Sequence, residues 1–214
     1  MARISHGKMR SLLKVYFIAG STNCLEDPRV VLEEARGGIT LFQFREKGSN
    51  CLEGAEKLAL GKELQRICNK NGIPFIVNDD IEMALELEAD GVHIGQEDED
   101  AQEVRKKIGD RILGVSVHCV KEAEKAKIAG ADYFGVGPIF PTDTKKDTRA
   151  VQGTGLIEEL KNFEIPIVGI GGITDENASL VMEAGADGVS VITAISHADD
   201  VSEAASRLRG EIFR

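Results

Sequence analysis

Glu88-Ala-Asp-Gly-Val92, Gly130-Ala-Asp-Tyr-Phe134 and Gly185-Ala-Asp-Gly-Val189 are three versions of one five-residue phrase. Each closes a helical pattern and opens an apolar run. Gly130 and Gly185 suit the left-handed residue that ends a helix. The phrase reads as a helix-to-strand turn, and its spacing is too uneven for a solenoid repeat. Outward from it, strands are expected near Val15–Ala19, Ile39–Phe44, Pro74–Val77, Gly91–Ile94, Ile112–Ser116, Tyr133–Val136, Pro166–Ile170 and Gly188–Ile192. From Gly91 to Gly188 successive strand starts fall 21, 21, 33 and 22 residues apart, about one helix and two turns per step. That alternation implies right-handed crossovers and a parallel sheet.

Eight such units predict an α/β fold of the closed (β/α)8 TIM-barrel kind. A dinucleotide-binding open sheet would want GxGxxG after its first strand, and Ala19-Gly20-Ser21-Thr22 does not supply it. No Pro/Gly/Ser-rich linker divides the chain, so one catalytic domain is expected over residues 1–214. Residues 1–13 form an N-terminal extension or helix in this reading.

The net charge of −10 argues against nucleic acid and against an anionic membrane as partner, since both need a basic face. No apolar stretch approaches the roughly 18 residues that span a bilayer, and the basic N-terminus leads into no signal-peptide core. Cys24, Cys51, Cys68 and Cys119 are scattered, without zinc spacing, as expected of reduced thiols in a cytoplasmic protein. Phosphorylated small molecules remain open as partners, because a few cations at one mouth can hold phosphate on an acidic protein. The sequence leaves the oligomeric state open, a homo-oligomer included.

Barrel enzymes work at the C-terminal ends of their strands, so the polar residues that follow each apolar run are the candidates. Gln43, Arg45 and Lys47 share one side of an extended segment. They form either an anion clamp, with Arg as fork and Lys as point charge, or a solvated strand end ion-paired to Glu46. Asp79 and Asp98 follow adjacent strands and suggest a hard divalent ion such as Mg2+; helix N-capping is the alternative. Asp80 fits the cap better, ahead of Ile81-Glu-Met-Ala-Leu85, which leaves Asp79 for the metal. Gly171-Gly172 and Ile192-Thr193 stand where barrels often hold phosphate on backbone amides. Between strand six and the next helix, Gly137–Gly155 has no periodicity and carries three cations and four threonines. A loop of that length is functional or disordered, and here it is expected to act as a lid. Together these features suit a transferase joining two phosphorylated substrates, although an isomerase or aldolase fits composition and periodicity equally.

Gln43-Phe-Arg-Glu-Lys47, Val77-Asn-Asp-Asp80, Val92-His-Ile-Gly-Gln-Glu-Asp98, Gly114-Val-Ser116, Gly137-Pro-Ile-Phe-Pro-Thr-Asp-Thr-Lys-Lys146 and Val168-Gly-Ile-Gly-Gly-Ile173 resemble, in order, the signature blocks of the thiamine-phosphate synthase family. The resemblance runs from about Val15 to the last helix. It implies a diphosphate-releasing transferase that condenses 4-amino-2-methyl-5-(diphosphooxymethyl)pyrimidine with a thiazole phosphate, carboxylated or in the 4-methyl-5-(2-phosphooxyethyl) form. It assigns the pyrimidine diphosphate to Gln43, Phe44, Arg45, Glu46, Lys47, Asn78, Ser116 and Lys145. Arg45, Lys47, Ser116 and Lys145 are the catalytic members of that set. Thr142, Asp143, Thr144, Gly172, Ile192 and Thr193 would receive the thiazole phosphate, and Asp79 and Asp98 would hold one Mg2+ per subunit. Thr193 stands where serine is common in the family. The rivals are a thiazole tautomerase on the same barrel, which shares Ser116-Val-His118, and an inactive paralogue that senses pathway metabolites. His118 is read as a bystander at a strand end.

Overall fold

The computed structural model describes residues 3–142 and 150–213. Its strands are β1 (Val15–Ala19), β2 (Leu41–Phe44), β3 (Phe75–Asn78), β4 (Gly91–Ile94), β5 (Ile112–Val117), β6 (Tyr133–Val136), β7 (Ile167–Ile170) and β8 (Gly188–Val191). Each pairs in parallel with the next, and β8 returns to β1 with Val189 opposite Val15, closing the (β/α)8 barrel. Every expected strand is present, with ends shifted by no more than two residues. The helices are α1 (His6–Leu12), α2 (Pro28–Ala35), α3 (Gly54–Asn71), α4 (Ile81–Glu86), α5 (Ala101–Ile108), α6 (Val120–Ala129), α7 (Gly155–Leu160), α8 (Ala178–Glu183), α9 (Thr193–Ser196) and α10 (Val201–Ile212). None is long and apolar enough to cross a membrane. All four cysteines are free thiols.

Strand alternation sorts the apolar residues into two cores. Outward-facing Phe17, Phe42, Phe44, Phe75, Val92, Val115 and Phe134 pack with the helices. Inward-facing Tyr16, Leu41, Ile76, Ile112, Tyr133 and Val168 fill the lower and middle barrel. Helix α1 seals that lower end, with Met9 and Leu13 fully buried beneath the strands.

The repeated phrase explains how the lower rim is tied. Asp90, Asp132 and Asp187 each accept a hydrogen bond from an amide at the start of an earlier strand: Phe75 N at 2.8 Å, Leu113 N at 2.8 Å and Ile167 N at 2.9 Å. The aspartate amides donate back to the carbonyls of the same residues. The residue two before each aspartate takes positive φ, 86° at Gly130, 106° at Gly185 and 50° at Glu88. Two of these aspartates also anchor the N-terminal segment, through Arg3 to Asp132 at 2.7 Å and Arg10 to Asp187 at 3.1 Å. Other acidic residues cap helices: Asp27, Asp80, Asp100 and Asp200 accept amides from the first turns of α2, α4, α5 and α10. Each such cap contributes about 1 kcal/mol. Seven aspartates are thus engaged at turns and helix starts.

The seat of α1 sets a steric requirement on β8. A Cβ at Gly188 would lie 1.9 Å from the Leu13 carbonyl oxygen. Gly188→Ala should therefore destabilise the protein by about 1–3 kcal/mol, as overpacking does. Gly210→Ala in α10, where nothing lies within 4 Å, should be neutral or gain up to about 1 kcal/mol. Denaturant midpoints check both, and equal values would contradict the seating of α1.

Candidate active site

The upper end of the barrel is open, and a cavity of about 1210 Å³ lies there, lined from the C-terminal ends of the strands and the loops that follow. The strand period decides which side chains reach it. In β2 and its exit, Gln43 points inward, Phe44 outward, and Arg45 and Lys47 line the cavity. Gln43 is 2% exposed and lies one layer below, with Nε2 donating to the Tyr16 hydroxyl at 2.6 Å. Phe44 packs against the phenyl ring of Phe75 on the helical side, so its side chain does not meet the expectation of a substrate contact. Nor does that of Glu46. Its carboxylate accepts hydrogen bonds from Ser21 N at 2.8 Å, the Ser21 hydroxyl and Leu52 N at 2.9 Å, bracing the loops after β1 and β2.

Lys47 is paired elsewhere. Its Nζ lies 2.8 Å from Asp79 Oδ2 and 4.0 Å from Asp98 Oδ1. Asp79 has φ of 61°, and its amide donates to the His93 carbonyl at 2.9 Å. Left-handed backbone is uncommon for a side chain other than glycine, and aspartate tolerates it better than most. Asp98 accepts a hydrogen bond from Gly95 N at 2.7 Å. Burial pushes the Asp98 carboxyl above the usual carboxylate range, and the neighbouring Asp79 carboxyl adds to the effect. The hydrogen bond to Asp79 raises the Lys47 ammonium. Asp80, as expected, caps α4, and it also pairs with Lys57 at 2.6 Å. The capping role thus falls to Asp80.

Two crowded carboxylates sharing one half-exposed lysine are an oxygen-donor set that a hard divalent cation would relieve. Among the described residues no group of three or more His, Cys, Asp or Glu side chains is placed to hold a metal. Two carboxylates are a donor set suited to a hard divalent ion that keeps most of its shell for water and substrate oxygens.

Asn78, Ser116 and Thr142 line the cavity, as do Gly172, Ile192 and Thr193 on the side of β7 and β8. Gly171 and Gly172 take φ of 96° and 65°. Asn177 holds the Gly-Gly turn by donating to the Gly172 carbonyl at 3.0 Å and accepting from Thr174 N at 2.9 Å. His118 is engaged by Glu122, through its amide at 2.7 Å and Nδ1 at 3.0 Å. Asp143, Thr144 and Lys145, with the rest of the stretch 143–149 of the expected lid, lie outside the described residues. The sequence reading missed Thr22 and Asn23, which line the cavity from the loop after β1. Asking what polar residue follows each strand would have found them had the question been put to β1. It also passed over His93 and Gln96, quoted only as parts of a run. Gln96 donates to the Ser116 carbonyl at 2.6 Å.

Fold and cavity are those of a (β/α)8-barrel enzyme with a charged, open mouth at the C-terminal ends of its strands. Residues 15–195 match the family model described as thiamine monophosphate synthase. The chain is 59% identical to a thiamine-phosphate synthase of Bacillus thuringiensis subsp. konkukian (strain 97-27), covering 100% of this chain and 99% of the relative. It is also 59% identical to one of Bacillus velezensis, covering 100% and 97%. A solved thiamine phosphate pyrophosphorylase from Pyrococcus furiosus superposes with a TM-score of 0.86 at 33% identity, over 96% of this chain and 98% of that one. The chain belongs to the thiamine monophosphate synthase family, and its activity is the transferase activity of that family.

An anion site built on a guanidinium should distinguish fork from point charge. Inorganic diphosphate with Mg2+ should bind Arg45→Ala more weakly than Arg45→Lys, and both more weakly than wild type, by calorimetry. Near-wild-type affinity in both variants would reduce Arg45 to a surface residue.

Proposed function

We propose that the barrel mouth joins an aminopyrimidine methyl diphosphate to a thiazole phosphate, yielding thiamine phosphate and diphosphate. The observation that carries the reading is Lys47 set between Asp79 and Asp98 in the same cavity as Arg45, Gly172 and Thr193. One mouth then offers two anion subsites.

Arg45, Lys47, Asn78 and Ser116 bind the pyrimidine diphosphate. Gln43 supports that subsite from one layer beneath. Asp79 and Asp98 would hold Mg2+, which when bound neutralises diphosphate oxygens and so stabilises the leaving group. The bond between the pyrimidine methylene carbon and the diphosphate oxygen breaks, and both electrons leave with diphosphate. The thiazole nitrogen then donates its lone pair to the resulting pyrimidine-methyl cation, forming the new carbon–nitrogen bond. Arg45 and Lys47 meet the negative charge as it grows on the departing oxygen, which is where fixed cations accelerate such a step. No side-chain nucleophile takes part. Thr142 and the backbone at Gly172, Ile192 and Thr193 receive the thiazole phosphate. Asp143, Thr144 and Lys145 keep the roles that the resemblance gives them, with Lys145 as a further cation on the diphosphate. The partners in this reading are small phosphorylated molecules, and the free thiols suit a cytoplasmic enzyme.

A diphosphate-release assay with both heterocycles saturating tests the proposal. Release should require a divalent ion and stop in excess chelator. Lys145→Ala should slow it by about 10²-fold, the scale of one lost transition-state contact, and His118→Ala much less. Release that survives chelation would overturn the metal assignment. A larger loss in His118→Ala than in Lys145→Ala would favour proton transfer on the thiazole as the chemistry.

A further inference from the structure

Beneath the cavity, polar side chains run through a barrel interior that branched apolar residues usually fill. Gln43 Nε2 donates to the Tyr16 hydroxyl at 2.6 Å. The Tyr16 and Tyr133 hydroxyls lie 2.8 Å apart, Tyr133 lies 2.9 Å from His93 Nδ1, and His93 Nε2 lies 2.9 Å from Ser116 Oγ. Gln43, Tyr16 and Tyr133 are buried, while His93 and Ser116 reach the cavity wall. Two glycines make the room. A Cβ at Gly114 would lie 2.1 Å from Tyr133 Cζ and 2.5 Å from His93 Nδ1, and one at Gly135 would lie 3.0 Å from His93 Cε1.

With Gln43 Nε2 facing Tyr16, the remaining donors and acceptors allow one direction through this column. Burial holds both phenols protonated, pushing each far above its ordinary range, so each has one proton to give. Tyr16 accepts from Gln43 and has Tyr133 as its other partner, so its proton goes to Tyr133. Tyr133 then gives its own proton to His93 Nδ1, because a hydroxyl donates once. A histidine that accepts at Nδ1 carries its proton on Nε2 and donates it to Ser116 Oγ. The Ser116 proton is left pointing away from His93.

We propose that this column, with His93 and Tyr133 as positioning residues, fixes Ser116 as a hydrogen-bond donor to an acceptor atom of the substrate. The proposal rests on the reading that Ser116 touches the pyrimidine diphosphate. With the Gln43 carbonyl turned to Tyr16 instead, every bond would reverse. His93 would then carry its proton on Nδ1, and Ser116 would spend its proton on the histidine and face the substrate with lone pairs only. Substrate recognition at Ser116 is thus decided by an amide three side chains beyond His93.

The test is nitrogen and carbon NMR of histidine-labelled full-length protein at mildly alkaline pH, with the His93 signals identified by their loss in His93→Gln. The Nε2–H tautomer is expected, and Tyr133→Phe should mix the tautomers. In diphosphate release Tyr133→Phe should lose roughly ten-fold, the worth of one hydrogen bond. Added to Ser116→Ala, it should cost little more than Ser116→Ala alone, because both act through one proton. An Nδ1–H tautomer in the wild type, or fully additive losses in the double variant, overturns the proposal. Wild-type turnover in Ser116→Ala with the Nε2–H tautomer intact instead overturns the substrate contact at Ser116 on which it rests.

Discussion

A closed ring of eight parallel strands leaves an interior wide enough for only a few side chains at each level. Everything else in this molecule follows from that limit. The lower levels are filled by Leu41, Ile76, Ile112 and Val168 and stopped from below by α1. The middle is given to the phenols, His93 and Gln43, which fit because Gly114 and Gly135 contribute no side chain. Above them the barrel opens, and the inward positions that end each strand become the walls of a cavity. Packing and chemistry are successive levels of one column.

The charge distribution obeys the same division. Aspartates tie the lower rim at Asp90, Asp132 and Asp187, where Arg3, Arg10 and Arg105 meet two of them. Aspartates at helix starts offset unpaired amides. At the mouth, Asp79 and Asp98 crowd together with Lys47. Part of the negative charge is thus engaged at turns and helix starts away from the cavity, and the two aspartates at the mouth share a lysine.

The barrel was legible in the sequence because its signals are local: strand runs at regular spacing and the Gly-Ala-Asp turn. Why that turn carries aspartate was not legible, since the partner amides of Phe75, Leu113 and Ile167 lie about 15 to 20 residues upstream and only the folded rim brings them near. At the mouth, alternation correctly placed Arg45 and Lys47 on one side, but reading Gln43-Phe-Arg-Glu-Lys47 as a block drew in Phe44 and Glu46, whose side chains pack outward or brace loops. The ion pair suspected for Lys47 involves aspartates of two other strand exits and not Glu46, which no local pattern encodes. The hydrogen-bonded column was invisible for a related reason. Its five members come from β1, β2, β4, β5 and β6, and each alone reads as an ordinary strand residue.

In the proposed function the Asp79–Asp98 pair is where a divalent ion and the diphosphate would meet. Anomalous scattering from a crystal grown with Mn2+ and inorganic diphosphate tests it most directly. The account predicts a single strong anomalous peak between these two carboxylates, with diphosphate density reaching from it toward Arg45. Ordered diphosphate in the cavity with the manganese bound elsewhere, or with no peak beside Asp79 and Asp98, would contradict it.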